Sequence, residues 1–183
     1  MPSGPTATTA AERILARVRD VPDYPSPGVL FKDITPLLAD GTEFAAVVAA
    51  FADPHRAADA AVDVVLGIEA RGFIMAAPVA VALGVGFVPL RKIGKLPRAT
   101  VGVAYDLEYG QAELEMHVDA IRPGQRVLVV DDVLATGGTA EAACGLVERV
   151  GGVVVGLAVL LELGFLGGRR RLGERPVRAL VTV

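Results

Sequence analysis

Two adjacent acids followed by threonines and glycines are the part of this sequence best suited to chemistry. The acids are Asp131 and Asp132, and residues 136–139 read Thr-Gly-Gly-Thr. Main-chain N–H groups of a glycine-rich turn that opens a helix bind phosphate well. A carboxylate repels phosphate but accepts hydrogen bonds from the vicinal hydroxyls of a sugar. The spacing therefore predicts a sugar-phosphate site, and the alternative is an acidic helix cap in a turn that binds no ligand.

The flanking sequence predicts the elements that hold this turn. Residues 127–130 (Val-Leu-Val-Val) are apolar and mostly β-branched, which favours a buried strand. Residues 140–150 have helical composition with one apolar face. In such strand–turn–helix units the ligand lies beyond the carboxyl ends of the strands. A Walker-type nucleotide loop is excluded because no Gly-Lys-Ser/Thr ends the turn, and the glycine spacing does not fit a dinucleotide fingerprint.

Three further segments carry charges that could act on the same ligand. Arg71 lies in a second strand-to-helix turn, where its planar guanidinium could bind phosphate oxygens. Residues 91–98 hold four cations in eight residues and favour a lid that brings positive charge onto a departing anion and excludes water. Glu108 follows that lid and could act as a general base. Each segment, taken alone, is also consistent with a solvated surface.

Composition limits the class of protein. The 183 residues fit one domain of roughly 100–200 residues, and we expect a flexible tail over residues 1–9 and a single domain over residues 10–183. The single cysteine, Cys144, is typical of a reducing compartment, so we expect a soluble cytoplasmic protein. The net charge of −3 argues against a nucleic-acid partner. The longest apolar stretch, residues 153–161, is too short to span a membrane.

Hydrophobic period and turn signals predict an α/β fold. Residues 105–118 should form a hairpin, and the proline-rich residues 20–28 should lack regular structure. Strands alternating with helices imply a mostly parallel central sheet flanked by helices. The irregular first and last segments are expected to form a small hood over the ligand edge, together with the lid hairpin. Strands are expected near residues 62–68, 85–90, 127–130, 153–162 and 177–182, and helices near residues 10–18, 42–52, 54–60, 73–83 and 140–150.

Five segments, in this order, resemble the type I phosphoribosyltransferase family, and within it the adenine phosphoribosyltransferases. The Asp-Asp and Thr-Gly-Gly-Thr motif is common to the whole family. The other segments are residues 24–36 (Tyr-Pro-Ser-Pro-Gly-Val-Leu-Phe-Lys-Asp-Ile-Thr-Pro), 69–73 (Glu-Ala-Arg-Gly-Phe), 91–97 (Arg-Lys-Ile-Gly-Lys-Leu-Pro) and 107–110 (Leu-Glu-Tyr-Gly). The first, third and fourth of these point to adenine, and the resemblance covers residues 14–183.

The resemblance implies transfer of a 5-phosphoribosyl group from phosphoribosyl pyrophosphate to adenine, which gives AMP and pyrophosphate through an oxocarbenium-like transition state. It also implies a homodimer, and Mg²⁺ held by substrate oxygens and waters without direct protein ligands. Glu108 would be the acid/base at the purine ring and Tyr109 a lid residue. The implied contacts are Asp131, Asp132, Ala135, Thr136, Gly137, Gly138 and Thr139 to ribose and 5′-phosphate, Glu69, Ala70, Arg71, Arg91, Lys92 and Lys95 to pyrophosphate, and Leu30, Phe31, Lys32 and Leu163 to adenine.

Two alternatives remain open at this level. The same chemistry on hypoxanthine, guanine or xanthine would need a donor opposite the 6-oxo group, where the amino group of adenine needs an acceptor. A regulator that senses phosphoribosyl pyrophosphate would keep the pocket without turnover. Such a regulator would be expected to carry a DNA-binding domain or a basic RNA-binding face, and Glu108 with its lid favours catalysis instead.

Overall fold

The structure, a computed structural model, describes residues 9–57, 60–106 and 111–183. The chain divides into two compact units between Val47 and Val48. The single domain expected over residues 10–183 stays a prediction, as does the hood. The tail expected over residues 1–9 lies, except for Thr9, outside the described residues. In the described ranges, no helix is long and apolar enough to cross a membrane.

The first unit begins with a capped helix. Its elements are α1 (Ala10–Leu15), β1 (Arg19–Pro22), β2 (Leu30–Asp33), α2 (Thr35–Ala39) and the start of α3 (Gly41–Ala52). The Glu12 main-chain N–H donates to Thr9 Oγ1 at 3.2 Å, and the Thr9 N–H donates to Glu12 Oε2 at 2.7 Å. This capping box satisfies two N–H groups that the first helical turn leaves without partners, so α1 starts where the sequence predicts.

Strands β1 and β2 form an antiparallel hairpin that pairs Arg19 with Asp33 and Pro22 with Leu30. The expectation that residues 20–28 lack regular structure is therefore wrong at its start. Proline cannot donate to a ladder, but it is tolerated at the end of an edge strand. Pro22 is the last residue of β1 and so does not interrupt the pairing.

A seven-stranded sheet forms the centre of the second unit. The elements are β3 (Val64–Ile68), α4 (Arg71–Leu83), β4 (Gly86–Lys92), β5 (Thr100–Asp106), β6 (Gln111–His117), β7 (Arg126–Leu134), α5 (Gly138–Arg149), β8 (Val153–Glu162) and β9 (Val177–Thr182), with 3₁₀ turns at Asp53–His55, Gly164–Leu166 and Gly168–Leu172. The strand order is β5-β6-β4-β3-β7-β8-β9. Strands β4, β3, β7, β8 and β9 pair in parallel, and the β5–β6 hairpin joins antiparallel beside β4. The mostly parallel sheet is confirmed.

Helix α4 packs closely on the sheet because Gly67 leaves room for it. All five residues of β3 are buried, as is typical of a parallel strand covered on both faces. A Cβ on Gly67 would lie 2.7 Å from the Cβ of Ala76 and 2.8 Å from the Phe87 ring. This close approach sets the start of α4 against the carboxyl ends of β3 and β7.

Several elements differ from their predicted bounds, since α1 ends at Leu15 instead of near residue 18 and the hairpin expected over residues 105–118 begins at Thr100. Strand β7 continues through Asp131 and Asp132 to Leu134, so the acids lie within the strand instead of after it. The helix expected over residues 54–60 is a 3₁₀ turn at Asp53–His55, and residues 58–59 lie outside the described part. Strand β9 forms where predicted and pairs with β8 as an edge strand of the central sheet.

Candidate active site

The loop between β7 and α5 has the geometry of an anion site. Gly137 has φ +88°, a left-handed conformation that favours glycine. Among the described residues, no side chain caps the start of α5, so the N–H groups of its first turn remain for a ligand. The loop, Asp131 and neighbouring side chains line a cavity of about 80 Å³. The predicted phosphate loop of residues 135–139 therefore lies at the carboxyl end of β7.

The two acids lie beside the start of α4. Asp132 is 4% exposed, and its Oδ2 lies 2.8 Å from Arg71 Nε. The Asp132 main-chain N–H donates to Asp131 Oδ1 at 2.9 Å. A Cβ on Gly72 would lie 2.8 Å from Asp131 Oδ1, so only glycine lets the helix approach this closely. The fold thus brings Arg71 and both acids together, as the sequence predicted.

Burial perturbs both carboxyl groups. It raises the pKa of Asp131 well above its usual value, and the charge of Asp132 raises it further. Burial also raises the pKa of Asp132, although the Arg71 guanidinium opposes the change. Asp131 is half-buried and Asp132 is buried, so both need hydrogen-bond donors, which vicinal sugar hydroxyls would supply. Perturbed carboxyl groups of this kind are typical of functional sites.

The cations at the end of β4 gather around Glu69. Arg91 Nε lies 3.2 Å from Glu69 Oε2, which also accepts the Lys92 main-chain N–H at 3.1 Å. Lys95 Nζ lies 3.4 Å from Glu69 Oε1. Burial raises the pKa of Glu69, but the Lys92 N–H and the two cations outweigh it and lower the pKa. Ala70 follows as the N-cap of α4, which has no side-chain cap among the described residues.

A buried glutamate that the sequence did not single out holds the next turn. Glu115 on β6 is 3% exposed, and its Oε1 accepts the main-chain N–H groups of Lys95 at 2.9 Å and Leu96 at 3.1 Å. Burial raises the pKa of Glu115, but these N–H groups and the Thr100 hydroxyl lower it overall. Along β6, Glu113, Glu115 and His117 alternate with apolar residues. Only the turn packed against Glu115 shows that its side of the strand is covered.

Gly168, in the segment after β8, packs against the predicted phosphate loop. A Cβ on Gly168 would overlap the Ala135 carbonyl oxygen and lie 2.8 Å from the Gly137 nitrogen. Gly168 thus belongs to the site, although sequence reasoning missed it. The signal available was the Gly167-Gly168 pair in a basic loop, which is too common to indicate a function.

The residues implied to contact adenine are divided between the two units. Leu30 and Phe31 lie on β2, where the rings of Phe31 and Tyr24 meet edge to face with centroids 5.1 Å apart. Lys32 Nζ pairs with Asp20 Oδ1 at 2.6 Å, so its side chain is engaged within the hairpin. Leu163 lies in the second unit and donates its N–H to the Leu134 carbonyl at 2.9 Å. Their contact with a base stays a prediction, and Glu108 and Tyr109 lie outside the described residues.

Comparisons with known proteins agree with this geometry. The phosphoribosyl transferase domain family matches residues 35–182. An adenine phosphoribosyltransferase of Nocardioides sp. is 62% identical over 182 residues, which is 98% of each chain. The solved adenine phosphoribosyltransferase of Rhodothermus marinus superposes with a TM-score of 0.90 at 49% identity, over 95% of this chain and 98% of that one. The Saccharomyces cerevisiae enzyme, complexed with an imino-altritol bisphosphate and adenine, superposes with a TM-score of 0.88 at 38% identity, over 93% of this chain and 98% of that one.

Proposed function

This chain belongs to the phosphoribosyltransferase family, and we propose that it carries out the reaction of the adenine-specific members. That reaction transfers a 5-phosphoribosyl group from phosphoribosyl pyrophosphate to adenine and yields AMP and pyrophosphate. The observation that carries the proposal is the strand–loop–helix unit from β7 to α5, where the half-buried Asp131 and the buried Asp132 adjoin a glycine loop at a helix start.

The ribose 5′-phosphate has a complementary surface in this unit. Phosphate oxygens would accept the main-chain N–H groups of residues 136–139, with the α5 dipole favouring negative charge. The ribose hydroxyls would donate to Asp131 and Asp132. Since burial raises the pKa of both acids, each hydroxyl bond they gain relieves part of the cost of keeping them charged.

Pyrophosphate would lie against Arg71 and the cations of the lid. Glu69 forms ion pairs with Arg91 and Lys95, so it neutralises part of their charge. We infer that Glu69 orients these two cations, because a carboxylate is itself a poor neighbour for pyrophosphate. Positive charge near the departing pyrophosphate stabilises the developing negative charge in the transition state.

The remaining steps of the mechanism rest on the resemblance. Glu108 would take the proton that adenine loses at its ring, and Tyr109 would close over the site. Closure would exclude water from the oxocarbenium-like sugar carbon, which water would otherwise capture. The resemblance assigns Phe31, Leu163 and main-chain groups near Leu30 and Lys32 to adenine.

Mg²⁺ is proposed to arrive with the substrate. Within the described ranges, no group of three or more His, Cys, Asp or Glu side chains is placed to hold a metal ion. Mg²⁺ usually keeps several waters and binds one or two carboxylates plus substrate phosphates, so it needs no protein cage. When bound, it would neutralise pyrophosphate charge. The cytoplasmic location stays a prediction from the single cysteine.

A homodimer is proposed on the resemblance and on one surface feature. Ile74 and Val81 lie two turns apart on α4, and both are exposed, Val81 to 81%. Light scattering on a gel-filtration column should give twice the chain mass for the wild type and a monomer for Val81→Asp. Val118→Asp is the matched control, since Val118 is an exposed valine in the turn after β6. A wild-type monomer, or an effect of equal size in both variants, would contradict the proposed interface.

The activity test uses the purified chain with Mg²⁺, phosphoribosyl pyrophosphate and one purine base at a time, with the nucleotide followed by chromatography. AMP from adenine, and little product from hypoxanthine, guanine or xanthine, would support the proposal. Product from a 6-oxopurine alone would contradict the choice of base. If calorimetry detects phosphoribosyl pyrophosphate binding but no base gives product, the regulator is the better interpretation.

A second variant isolates the acid/base. Glu108→Ala should lower kcat by about 10²–10⁴-fold, the usual contribution of general acid–base catalysis. Glu174→Ala is the control, because Glu174 is exposed in the turn before β9. Turnover at the wild-type rate in Glu108→Ala would remove this residue from the mechanism.

A further inference from the structure

A bidentate ion pair between Glu162 and Arg169 joins the two ends of the segment that follows β8. Glu162 is 6% exposed at the end of the strand, and Arg169 lies five residues beyond Gly164 in the 3₁₀ turn Gly168–Leu172. Arg169 Nε donates to Glu162 Oε1 at 3.0 Å, and its Nη2 donates to Oε2 at 2.5 Å. A third bond runs from Arg169 Nη1 to the Val177 carbonyl oxygen at 2.7 Å. This planar fork fixes distance and direction together, which a lysine could not do.

The segment between the two partners contacts the phosphate loop. Leu163 donates its N–H to the carbonyl of Leu134, the last residue of β7. At the other end of the segment, a Cβ on Gly168 would lie 2.9 Å from the Thr136 carbonyl carbon, and a Cβ on Gly137 would lie 3.0 Å from the Gly168 carbonyl carbon. The two loops therefore pack backbone on backbone, and a shift of one displaces the other.

We propose that Glu162 and Arg169 are a positioning pair that sets the 5′-phosphate loop and the base-contacting Leu163 at the same time. The inference rests on the proposed function, which assigns adenine to Leu163 and phosphate to residues 136–139. Neither Glu162 nor Arg169 is assigned to a substrate. They act by holding one short segment whose start contacts the base and whose end supports the phosphate loop.

The neighbouring arginine provides a matched control. Arg171 lies two residues further along and is exposed, and its Nη1 lies 3.7 Å from Glu141 Oε2, a carboxylate that is also exposed. Exposed ion pairs of this kind contribute little to stability. Removal of Arg171 changes the chain charge as removal of Arg169 does but leaves the fork intact.

The test compares Arg169→Ala, Arg169→Lys and Arg171→Ala by steady-state kinetics with adenine and phosphoribosyl pyrophosphate each varied. Arg169→Ala should raise both KM values by about tenfold, the loss expected for about one substrate hydrogen bond at each end of the segment. The KM values of Arg169→Lys should lie between those of Arg169→Ala and the wild type, and those of Arg171→Ala should equal the wild-type values. Because Arg169 is partly exposed, added guanidinium at millimolar concentration should lower both KM values of Arg169→Ala and leave those of Arg171→Ala unchanged.

Several outcomes would overturn the proposal. These are unchanged KM values in a folded Arg169→Ala, a rise in only one of the two, or the same rise in Arg171→Ala. If circular dichroism shows that Arg169→Ala does not fold, Arg169→Lys and Glu162→Gln decide by the same two KM values. If the wild type makes no AMP, the proposed function fails by itself. Calorimetry with ribose 5-phosphate then still tests the pair, since weaker binding by Arg169→Ala than by Arg171→Ala supports it and equal binding overturns it.

Discussion

Replacing Asp131 with asparagine should make the protein more stable at neutral pH while weakening its binding of phosphoribosyl pyrophosphate. Burial and the charge of the adjacent Asp132 raise the pKa of Asp131. Arg71, which pairs with Asp132, lowers this pKa by a smaller amount, so the net shift is upward. Asparagine is nearly isosteric and keeps the oxygen that accepts the Asp132 main-chain N–H at 2.9 Å. The variant therefore removes an unfavourable charge without removing a bond.

The pH dependence gives the sign of the effect. In the unfolded chain Asp131 ionises near its ordinary pKa of about 3.9. In the folded chain it retains its proton to higher pH, so the wild type loses stability as pH rises above about 4. The loss is complete once the pH exceeds the raised pKa of the folded state. The asparagine side chain does not titrate, so the gain of Asp131→Asn should be small at pH 4.5 and larger at pH 7.5.

The gain in stability expected for Asp131→Asn is that of a single stabilising substitution. Single stabilising substitutions commonly raise the free energy of unfolding by about 0.5–2 kcal/mol. For a chain of 183 residues, each kcal/mol shifts Tm by about 2–4 °C. Calorimetric melting at pH 7.5 should therefore show a Tm about 1–8 °C above the wild type, with a raised KM for phosphoribosyl pyrophosphate.

The matched control is Asp119→Asn. Asp119 is exposed, and the hydrogen bond and charge of Arg98, whose Nη1 lies 2.6 Å from Asp119 Oδ2, lower its pKa. Its replacement removes a favourable charge and should not raise Tm at either pH. A Tm of Asp131→Asn at or below the wild type at pH 7.5 would refute the reasoning, as would an equal gain at both pH values.

Three further outcomes follow from packing and burial. Gly72→Ala should lower the free energy of unfolding by about 1–3 kcal/mol in urea, because the added Cβ would lie 2.8 Å from Asp131 Oδ1; an unchanged midpoint would contradict this packing. In the wild type, Glu115 accepts the Lys95 main-chain N–H at 2.9 Å, so Glu115→Ala should speed trypsin cleavage after Lys95. Glu115→Gln should restore part of the protection. Equal cleavage of the wild type and Glu115→Ala would show that Glu115 does not hold this turn. Cys144 is buried with its pKa raised to about 11, so Ellman's reagent should label it only as the protein unfolds, and rapid labelling of the native protein would count against its burial.

The strand–loop–helix unit could be predicted from the sequence because its determinants are local. Residues 127–130 are apolar and β-branched, and Gly137 supplies a left-handed turn that other residues avoid. Strand, turn and helix follow one another directly, so no distant segment is needed to form them. The same locality explains why the start of the helix near residue 10, where Thr9 forms a capping box, was predicted correctly.

Elements whose form depends on a distant partner were predicted less well. Strand β1 exists because it pairs with β2 across an intervening loop, and its proline content alone argued against it. Strand β7 extends through the two acids because β8 continues beside it to Glu162. The polar side chains of Asp131 and Asp132 indicated that the strand ends before them, whereas main-chain hydrogen bonds to β8 extend it to Leu134.

By itself the sequence determined the class of fold and the strand–loop–helix unit that carries the two acids, since hydrophobic period and glycine's conformational freedom act within a few residues. Only the tertiary structure decided which charge meets which. Arg71 pairs with Asp132, Glu115 accepts N–H bonds from the turn after β4, and Arg169 pairs with Glu162 at the end of β8. These contacts join segments that lie far apart or turn back on themselves, and ion pairing depends on distance in space, which residue order does not specify.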